Sequence, residues 1–236
     1  MNLLLFDPGE WENPLPLSDP RSLHIINILK TSPGERLAAG VVGGLKGTIL
    51  LQGKDQNGLK FADPCFTEVP PPPLKLTFLI GTPRPPTAQR LLRDLTTLGA
   101  QRLVFTATRL GEKSYLTSKL WHEDWKKALL EGAMQAKATY LPQIERYMSL
   151  KQALENLGAE SGLKFAFDGS GSSPLATYPD QPTFLALGPE RGWTDQERQL
   201  FLDSGWQILT MGNRVLRTET ACTAAAIGIL TRQGLW

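Results

Sequence analysis

Short apolar runs and helix-like segments alternate from residue 74 to residue 236, and this alternation is the feature that most limits the fold. The run LKLTFLIG, at 74–81, is typical of a buried strand, and TAQRLLRDLTTLG, at 87–99, carries leucines at helical spacing and ends in glycine. Strands that alternate with helices in this way predict an α/β fold, with a mostly parallel sheet and helices on both of its faces.

The remaining elements of this part follow the same pattern. We predict further strands at QRLVFTAT (101–108), LKFAFDGSG (163–171, running into a flexible loop), PTFLALG (182–188) and WQILTMG (206–212). We predict further helices at WHEDWKKALLEGAMQAKA (121–138), LKQALENLG (150–158), TDQERQLFLDSG (194–205) and TETACTAAAIGILTRQG (218–234). Thr194 and Glu197 have the spacing of a capping box at the start of their helix.

Residues 1 to 69 have a different character, because short segments are separated by many glycines. This pattern predicts an all-β unit whose glycines form turns and bulges. The exception is PRSLHIINILK, at 20–30, where Leu23, Ile26 and Leu29 fit one face of a short helix.

Four consecutive prolines, at 70–73, follow the β-rich part. A proline run is stiff and continues neither a helix nor a strand ladder, so it is the best domain boundary in the chain. We therefore expect two domains, residues 1–70 and residues 71–236.

The composition narrows the class of protein. Hydrophobic residues make up 41% of the 236 residues, which is enough for a core, and a net charge of +2 does not by itself indicate nucleic-acid binding. Two cysteines and two histidines disfavour a disulfide framework and a metal site. The sequence shows no signal peptide, no membrane-spanning run, and none of the Rossmann, P-loop, GxSxG or HExxH patterns. We expect a soluble cytoplasmic protein without a bound metal.

The loop GPERG, at 188–192, stands between a predicted strand and a capped helix. In an open parallel sheet, ligands bind beyond the carboxyl ends of the strands, and glycines let backbone groups approach a ligand closely. Two other strand ends carry unusual loops, DGSGSSP at 168–174 and MGNRVLR at 211–217. The loop GPERG is therefore either a simple tight turn or part of a ligand site formed by these three loops.

Two motifs in order decide between these interpretations. LGPERGWTDQE is followed, one helix and one strand later, by MGNRVLRTETACTAAA. Together they resemble the signature of the SPOUT methyltransferases, and specifically of the ribosomal RNA small subunit methyltransferase E family. The early HIINILK and the segment EGAMQAKATYLPQI are similar to further elements of that family, so the resemblance covers nearly the whole chain.

The resemblance implies a SPOUT-type parallel sheet with a C-terminal trefoil knot, preceded by a small PUA-like β-barrel that binds RNA. It implies that S-adenosylmethionine is held mainly by backbone groups of the knotted loops, and that Leu216 covers the adenine. The cofactor-binding residues implied are Leu187, Gly188, Pro189, Glu190, Gly192, Thr210, Met211, Gly212, Val215, Leu216, Arg217 and Ala221. It also implies a homodimer joined through small residues of the last helix, although these residues equally suit packing within one chain.

The family methylates N3 of a uridine in 16S ribosomal RNA, and that nitrogen must lose its proton before it can attack a methyl group. Arg217 is the first catalytic candidate, since a guanidinium stabilises the charge that develops on the base. Glu190 or Glu219 would orient Arg217 or accept the proton. As an alternative, Glu219 caps the last helix and pairs with Arg217.

The expected partner is 16S ribosomal RNA in the small ribosomal subunit. The candidate RNA-binding residues are Lys30, Arg84, Arg90, Lys113 and Gln135, which are equally compatible with solvated helix faces. The chain departs from the usual family pattern in four places: Lys30 replaces arginine, Thr97 replaces glutamate, Ala138 replaces arginine and Arg191 replaces glycine. We expect these departures to affect the choice of target nucleotide more than the reaction class. Two alternatives stay open, a SPOUT enzyme for another RNA, such as a tRNA ribose 2′-oxygen, and a non-enzymatic RNA-binding or assembly protein.

Overall fold

The computed structural model describes residues 3–122, 124–173 and 177–236. The chain divides into two compact units, which are described separately. The first unit comprises Met1–Pro72 and Leu130–Leu141, and the second comprises Pro73–Leu129 and Pro142–Trp236. The boundary falls within the proline run, between Pro72 and Pro73, which agrees with the stiffness of that segment.

The first unit contains a four-stranded sheet with the linear order β1-β2-β3-β4. Its strands are β1 Leu4–Phe6, β2 Arg36–Val41, β3 Lys46–Lys54 and β4 Leu59–Glu68. β1 pairs with β2 in parallel, whereas β2, β3 and β4 form antiparallel pairs. Phe6, Ile49 and Phe61 lie in the buried core of this unit, and the Phe6 and Phe61 rings meet edge to face with their centroids 5.2 Å apart.

The predicted helix of the first unit is present in two parts, the α-helix α1 (Pro20–His24) and a π-helical turn (Ile25–Leu29). The expected apolar face does not point into the core, since Leu23 is 47% exposed and Leu29 is 43% exposed. Ile25 is fully buried instead. The wider π turn changes the angle between successive side chains, so a spacing of three residues no longer marks the buried side.

The second unit is built on a six-stranded sheet with the order β10-β8-β9-β5-β6-β7. Its strands are β5 Leu74–Gly81, β6 Ala100–Thr106, β7 Gln143–Tyr147, β8 Leu163–Ser172, β9 Thr183–Leu187 and β10 Gln207–Leu209. Every neighbouring pair in that order is parallel. The prediction of an α/β fold with a parallel sheet is therefore confirmed.

Four helices accompany this sheet: α2 Pro85–Leu98, α4 Leu150–Gly158, α5 Asp195–Asp203 and α6 Thr218–Arg232. A further helix, α3 Asp124–Ala136, begins in this unit, and its part from Leu130 belongs to the first unit. Helix α2 contacts α6, and α4 contacts α5, so two helix pairs cover the sheet. The central strand β9 is buried along its whole length. The cluster around Phe184, Phe201 and Trp206 fills the space under α4 and α5.

Two elements differ from the sequence prediction. β7 was not predicted, because QIERY has little apolar content and pairs only with β6 at the edge of the sheet. The segment expected to be a flexible loop after Phe167 continues as strand β8 to Ser172, where a register shift brings Ser172 opposite Leu209. Pro174, at the end of that expected loop, lies outside the described residues.

Candidate active site

The C-terminal half of β8 and the loops after its neighbours β9 and β10 surround one cavity of about 290 Å³. Its lining residues are Phe167, Asp168, Gly169, Leu187, Gly188, Pro189, Gly192, Thr210, Met211, Gly212, Asn213, Arg214, Val215, Leu216 and Ala221. Ten of the predicted cofactor residues, Leu187, Gly188, Pro189, Gly192, Thr210, Met211, Gly212, Val215, Leu216 and Ala221, are thus brought together. Parallel strands explain the convergence, because their carboxyl ends meet at one edge of the sheet.

Glycines allow the loops of this cavity to approach each other. A Cβ on Gly188 would lie 2.9 Å from Cα of Gly192, so the two sides of the loop could not close around a larger residue. Gly212 has a φ of 110°, a conformation that other residues rarely adopt. The chain is therefore shaped here to present backbone groups, as expected for a loop that holds a ligand.

Gly81, the last residue of β5, packs against Pro189 of the loop at 188–192 and was not predicted as a site residue. A Cβ at this position would lie 2.4 Å from Cδ of Pro189. The proline can therefore pack on β5 only because Gly81 has no side chain. The sequence signal was the glycine that closes an apolar strand, but its partner lies more than 100 residues away.

Asp168 places a carboxylate at the cavity and was also missed as a site residue. Its Oδ1 accepts hydrogen bonds from the backbone N–H and the hydroxyl of Ser170, and its Oδ2 accepts one from Nη1 of Arg198 at 3.1 Å. Burial raises the pKa of this carboxyl, but the Ser170 donors and the Arg198 charge outweigh burial and hold it below its usual value. Asp168 is therefore a fixed negative charge at the cavity wall.

Arg198 connects this carboxylate to the loop that follows β9. The same Nη1 donates to the carbonyl of Trp193 at 2.7 Å. Asp168 and Trp193 belong to different strand-end segments, so one guanidinium fixes the distance between them.

The buried Glu197 anchors the start of α5. Its Oε2 accepts from the backbone N–H of Thr194 at 2.9 Å, and the hydroxyl of Thr194 accepts from the Glu197 N–H, so the predicted capping box is confirmed. Its Oε1 accepts from the backbone N–H of Arg109 at 2.8 Å. Glu197 therefore ties the segment after β6 to the end of the loop GPERG.

A second cavity, of about 350 Å³, lies on the other side of that loop. It is lined by Arg84, Leu110, Gly111, Glu112, Tyr115, Pro189, Glu190 and Arg191. Oε1 of Glu190 accepts a hydrogen bond from the backbone N–H of Arg84 at 3.3 Å and lies 3.6 Å from its Nε. The structure thus brings two predicted site residues, Arg84 and Glu190, together here rather than in the first cavity.

Glu219 and Arg90 form an ion pair between α6 and α2, with Nη2 and Oε1 2.7 Å apart. Burial raises the pKa of Glu219, but its own backbone N–H at the start of α6 and the Arg90 guanidinium outweigh burial and lower it. In the structure, Glu219 therefore pairs with Arg90 rather than with Arg217. The backbone of Arg217 forms the N-cap of α6, and its side chain is exposed.

The other predicted RNA-binding residues are exposed but lie in different places. Lys30 follows the π turn of the first unit with a φ of 52°, and Gln135 lies on the part of α3 that belongs to the same unit. Lys113 begins a short 3-10 helix of the second unit. Among the described residues, no group of three or more potential metal ligands is found, and no helix is long and apolar enough to cross a membrane.

Comparison with known proteins identifies the family. Residues 70–230 match the model of the family described as RNA methyltransferase domain. The ribosomal RNA small subunit methyltransferase E 1 of Borreliella burgdorferi is 33% identical over 231 residues, which cover 96% of each chain. This chain belongs to the ribosomal RNA small subunit methyltransferase E family.

A second relative supports this assignment, and a solved structure shows the same fold. The Treponema pallidum member is 34% identical over 249 residues and covers 100% of this chain and 93% of its own. The crystal structure of the Neisseria gonorrhoeae member, bound to S-adenosyl methionine, matches with a TM-score of 0.74 at 19% identity and covers 98% of this chain and 97% of its own. The resemblance stated from the two motifs is confirmed.

Proposed function

We propose that this chain transfers a methyl group from S-adenosylmethionine to N3 of a specific uridine in 16S ribosomal RNA. The observation that carries the proposal is the glycine-shaped cavity at the ends of β8, β9 and β10 in a member of the methyltransferase E family. The reaction class follows from the family, and the choice of N3 follows from the resemblance of the two motifs.

The residues of the first cavity fit S-adenosylmethionine. Phe167, Leu187 and Leu216 supply apolar surface for an adenine ring, and the backbone groups around Gly188 and Gly212 are accessible because these residues lack side chains. The carboxylate of Asp168 has remaining lone pairs for a ribose hydroxyl or an ammonium group. In the proposed arrangement the loops at 188–192 and 211–217 belong to a trefoil knot.

The bound cofactor supplies a methyl group on a positively charged sulfonium. The protein must then make N3 of the uracil nucleophilic. In the proposed reaction the N3 proton passes to a carboxylate, with Glu190 or Glu219 as candidates. The freed electron pair forms the bond from N3 to the methyl carbon, and the electron pair of the broken carbon–sulfur bond stays on sulfur. Arg217 would stabilise the charge that develops on the imide oxygens.

The first unit would hold the RNA as a PUA-like domain, and the proposed domain limits are residues 1–70 and 71–236. Positively charged side chains such as Lys30 and Lys113 would contact phosphates, which position an RNA without reading its sequence. The target uridine must be unpaired or flipped out, because base pairing hides N3. Since 16S ribosomal RNA is the substrate, we expect the enzyme to act in the cytoplasm of a bacterial cell.

A homodimer is part of the proposal. Ala221, Ala224 and Gly228 of α6 are at least partly accessible, so a second helix could approach closely at these positions. Ala225 and Ala226 are buried within their own chain, so for these two residues packing within the chain is sufficient explanation. Sedimentation of the purified protein measures the oligomeric state directly.

The test is to incubate the purified protein with S-adenosylmethionine and small ribosomal subunits whose RNA lacks the modification. Mass spectrometry of the digested RNA should show 3-methyluridine. A ribose-methylated nucleoside would indicate the alternative SPOUT reaction, and RNA binding without any methylated product would indicate a non-enzymatic assembly protein. Either result would refute the proposed reaction.

A further inference from the structure

The loop at 188–192 separates two cavities, and Pro189 lines both of them. If the first cavity holds the methyl donor, the acceptor must come close to it, because reacting atoms in a productive complex lie about 3–3.5 Å apart. The second cavity is a candidate for the acceptor because it adjoins the first, with the buried Pro189 lining both. Its volume of about 350 Å³ falls in the range of small-molecule sites.

The side chains of the second cavity suit a uracil. The Watson–Crick edge of uracil carries one N–H donor between two carbonyl acceptors. The cavity offers guanidinium donors from Arg84 and Arg191, carboxylate acceptors from Glu112 and Glu190, and the ring of Tyr115 as a surface for stacking. Single-stranded bases are recognised by this combination of stacking and hydrogen bonds to their edges.

We infer that the second cavity is the binding site for the uracil that is methylated, with Tyr115 stacking on the base and Arg191 donating to one of its carbonyl oxygens. This assignment rests on the proposed function. The assignment places Glu190 next to N3, because the carboxylate of Glu219 on α6 is already bound by Arg90 of α2. Arg191 then contributes to the choice of uridine, and this chain has arginine where the family resemblance implies glycine.

Variants of the cavity provide the first test. Arg191→Ala and Tyr115→Leu should each raise the KM for the RNA by about tenfold, the loss expected for one charge-assisted or stacking contact. The dissociation constant of S-adenosylmethionine, measured by calorimetry, should stay within about twofold of the wild-type value. Arg191→Lys should recover part of the RNA affinity, since an ammonium keeps the charge but lacks the planar fork.

Lys151→Ala is the matched control, because it also removes one exposed positive charge from the second unit but lies on α4, where Lys151 pairs with Glu155. It should leave both constants unchanged. If Arg191→Ala and Tyr115→Leu behave like this control, the assignment of the cavity is refuted while the methyltransferase function stands. If they weaken cofactor binding as strongly as RNA binding, the second cavity only supports the cofactor loop and the assignment also fails.

A crosslink gives a readout that does not depend on turnover. RNA with 4-thiouridine at the position that the wild-type protein methylates should crosslink, on irradiation, to the tryptic peptide 114–119, which contains Tyr115. A crosslink confined to peptides that line no part of the second cavity contradicts the assignment. A wild-type protein that methylates no uridine refutes the proposed function and this inference together.

Discussion

Replacing Gly81 by alanine should damage the cofactor site although every residue that lines it stays the same. The new Cβ would lie 2.4 Å from Cδ and 2.9 Å from N of Pro189, and 2.9 Å from Cγ2 of Thr108. Ordinary carbon contacts begin at about 3.5 Å, so Pro189 has to move by roughly 1 Å. Because the proline belongs to the loop backbone, its movement displaces the whole segment at 188–192.

The magnitude follows from two costs. Forcing an extra methyl group into a packed site destabilises a protein by about 1–3 kcal/mol. A displacement of about 1 Å in an active site can lower the reaction rate about 100-fold. A tenfold loss of cofactor affinity corresponds to about 1.4 kcal/mol, which lies within the steric cost given above. We therefore expect Gly81→Ala to stay folded, to bind S-adenosylmethionine at least about tenfold more weakly, and to unfold at a lower temperature.

Calorimetry of cofactor binding, together with thermal unfolding, checks this prediction. Gly158→Ala is the control, because a Cβ there meets nothing within 4 Å, and this variant should bind the cofactor like the wild type. Normal affinity of a folded Gly81→Ala protein would show that the loop at 188–192 tolerates displacement, and would refute the argument that its backbone position determines binding.

Three further predictions concern other parts of the site. Arg217→Ala should lower single-turnover methylation by about 100- to 1,000-fold with little change in cofactor affinity, and a defect confined to cofactor affinity would contradict its catalytic role. Asp168→Asn should weaken cofactor binding, because it removes a negative charge from the cavity. The cofactor affinity of the wild type should stay constant from about pH 7 down to pH 5, since the lowered pKa keeps Asp168 charged and its contribution is lost only as the pH falls through that pKa. A decline in affinity over this range, measured by calorimetry, would contradict the argument. Since Thr97 and Ala138 stand where the family resemblance implies charged residues, assembled small subunits should be methylated faster than short oligonucleotides, and equal rates in a methylation assay would contradict this.

The sequence predicted the second unit well because its strands are buried on both sides. Such strands appear as continuous apolar runs, as in LKLTFLIG, and the capping box of Thr194 and Glu197 marks a helix start by local chemistry alone. The edge strand β7 lacks this signal, since QIERY is half exposed and owes its conformation to pairing with β6. The π turn at 25–29 likewise has no local signature.

Site residues could be predicted where they stand together in one sequence motif. They could not be predicted where two interacting residues are far apart in the sequence. The glycine loops were found because their residues stand next to each other. The Arg90–Glu219 pair joins residues 129 positions apart, and the Asp168–Arg198 pair joins residues 30 apart. Periodicity and spacing describe local structure, so the choice of Arg90 rather than Arg217 as the partner of Glu219 required the packing of α2 against α6.

The strand order has a consequence for how the chain acquires its site during synthesis. β5 is flanked by β6 and β9, and Leu76 of β5 pairs with Thr183, which is 107 residues later. β10, the last strand made, joins the sheet at the far side of β8. Contacts between such distant residues form slowly because a long loop must close first. A chain growing at about 5–20 residues per second therefore spends several seconds with β5 exposed on one edge, and it can acquire cofactor affinity only after β10 has been completed. In the cell, the ligand site should be among the last parts of this protein to form.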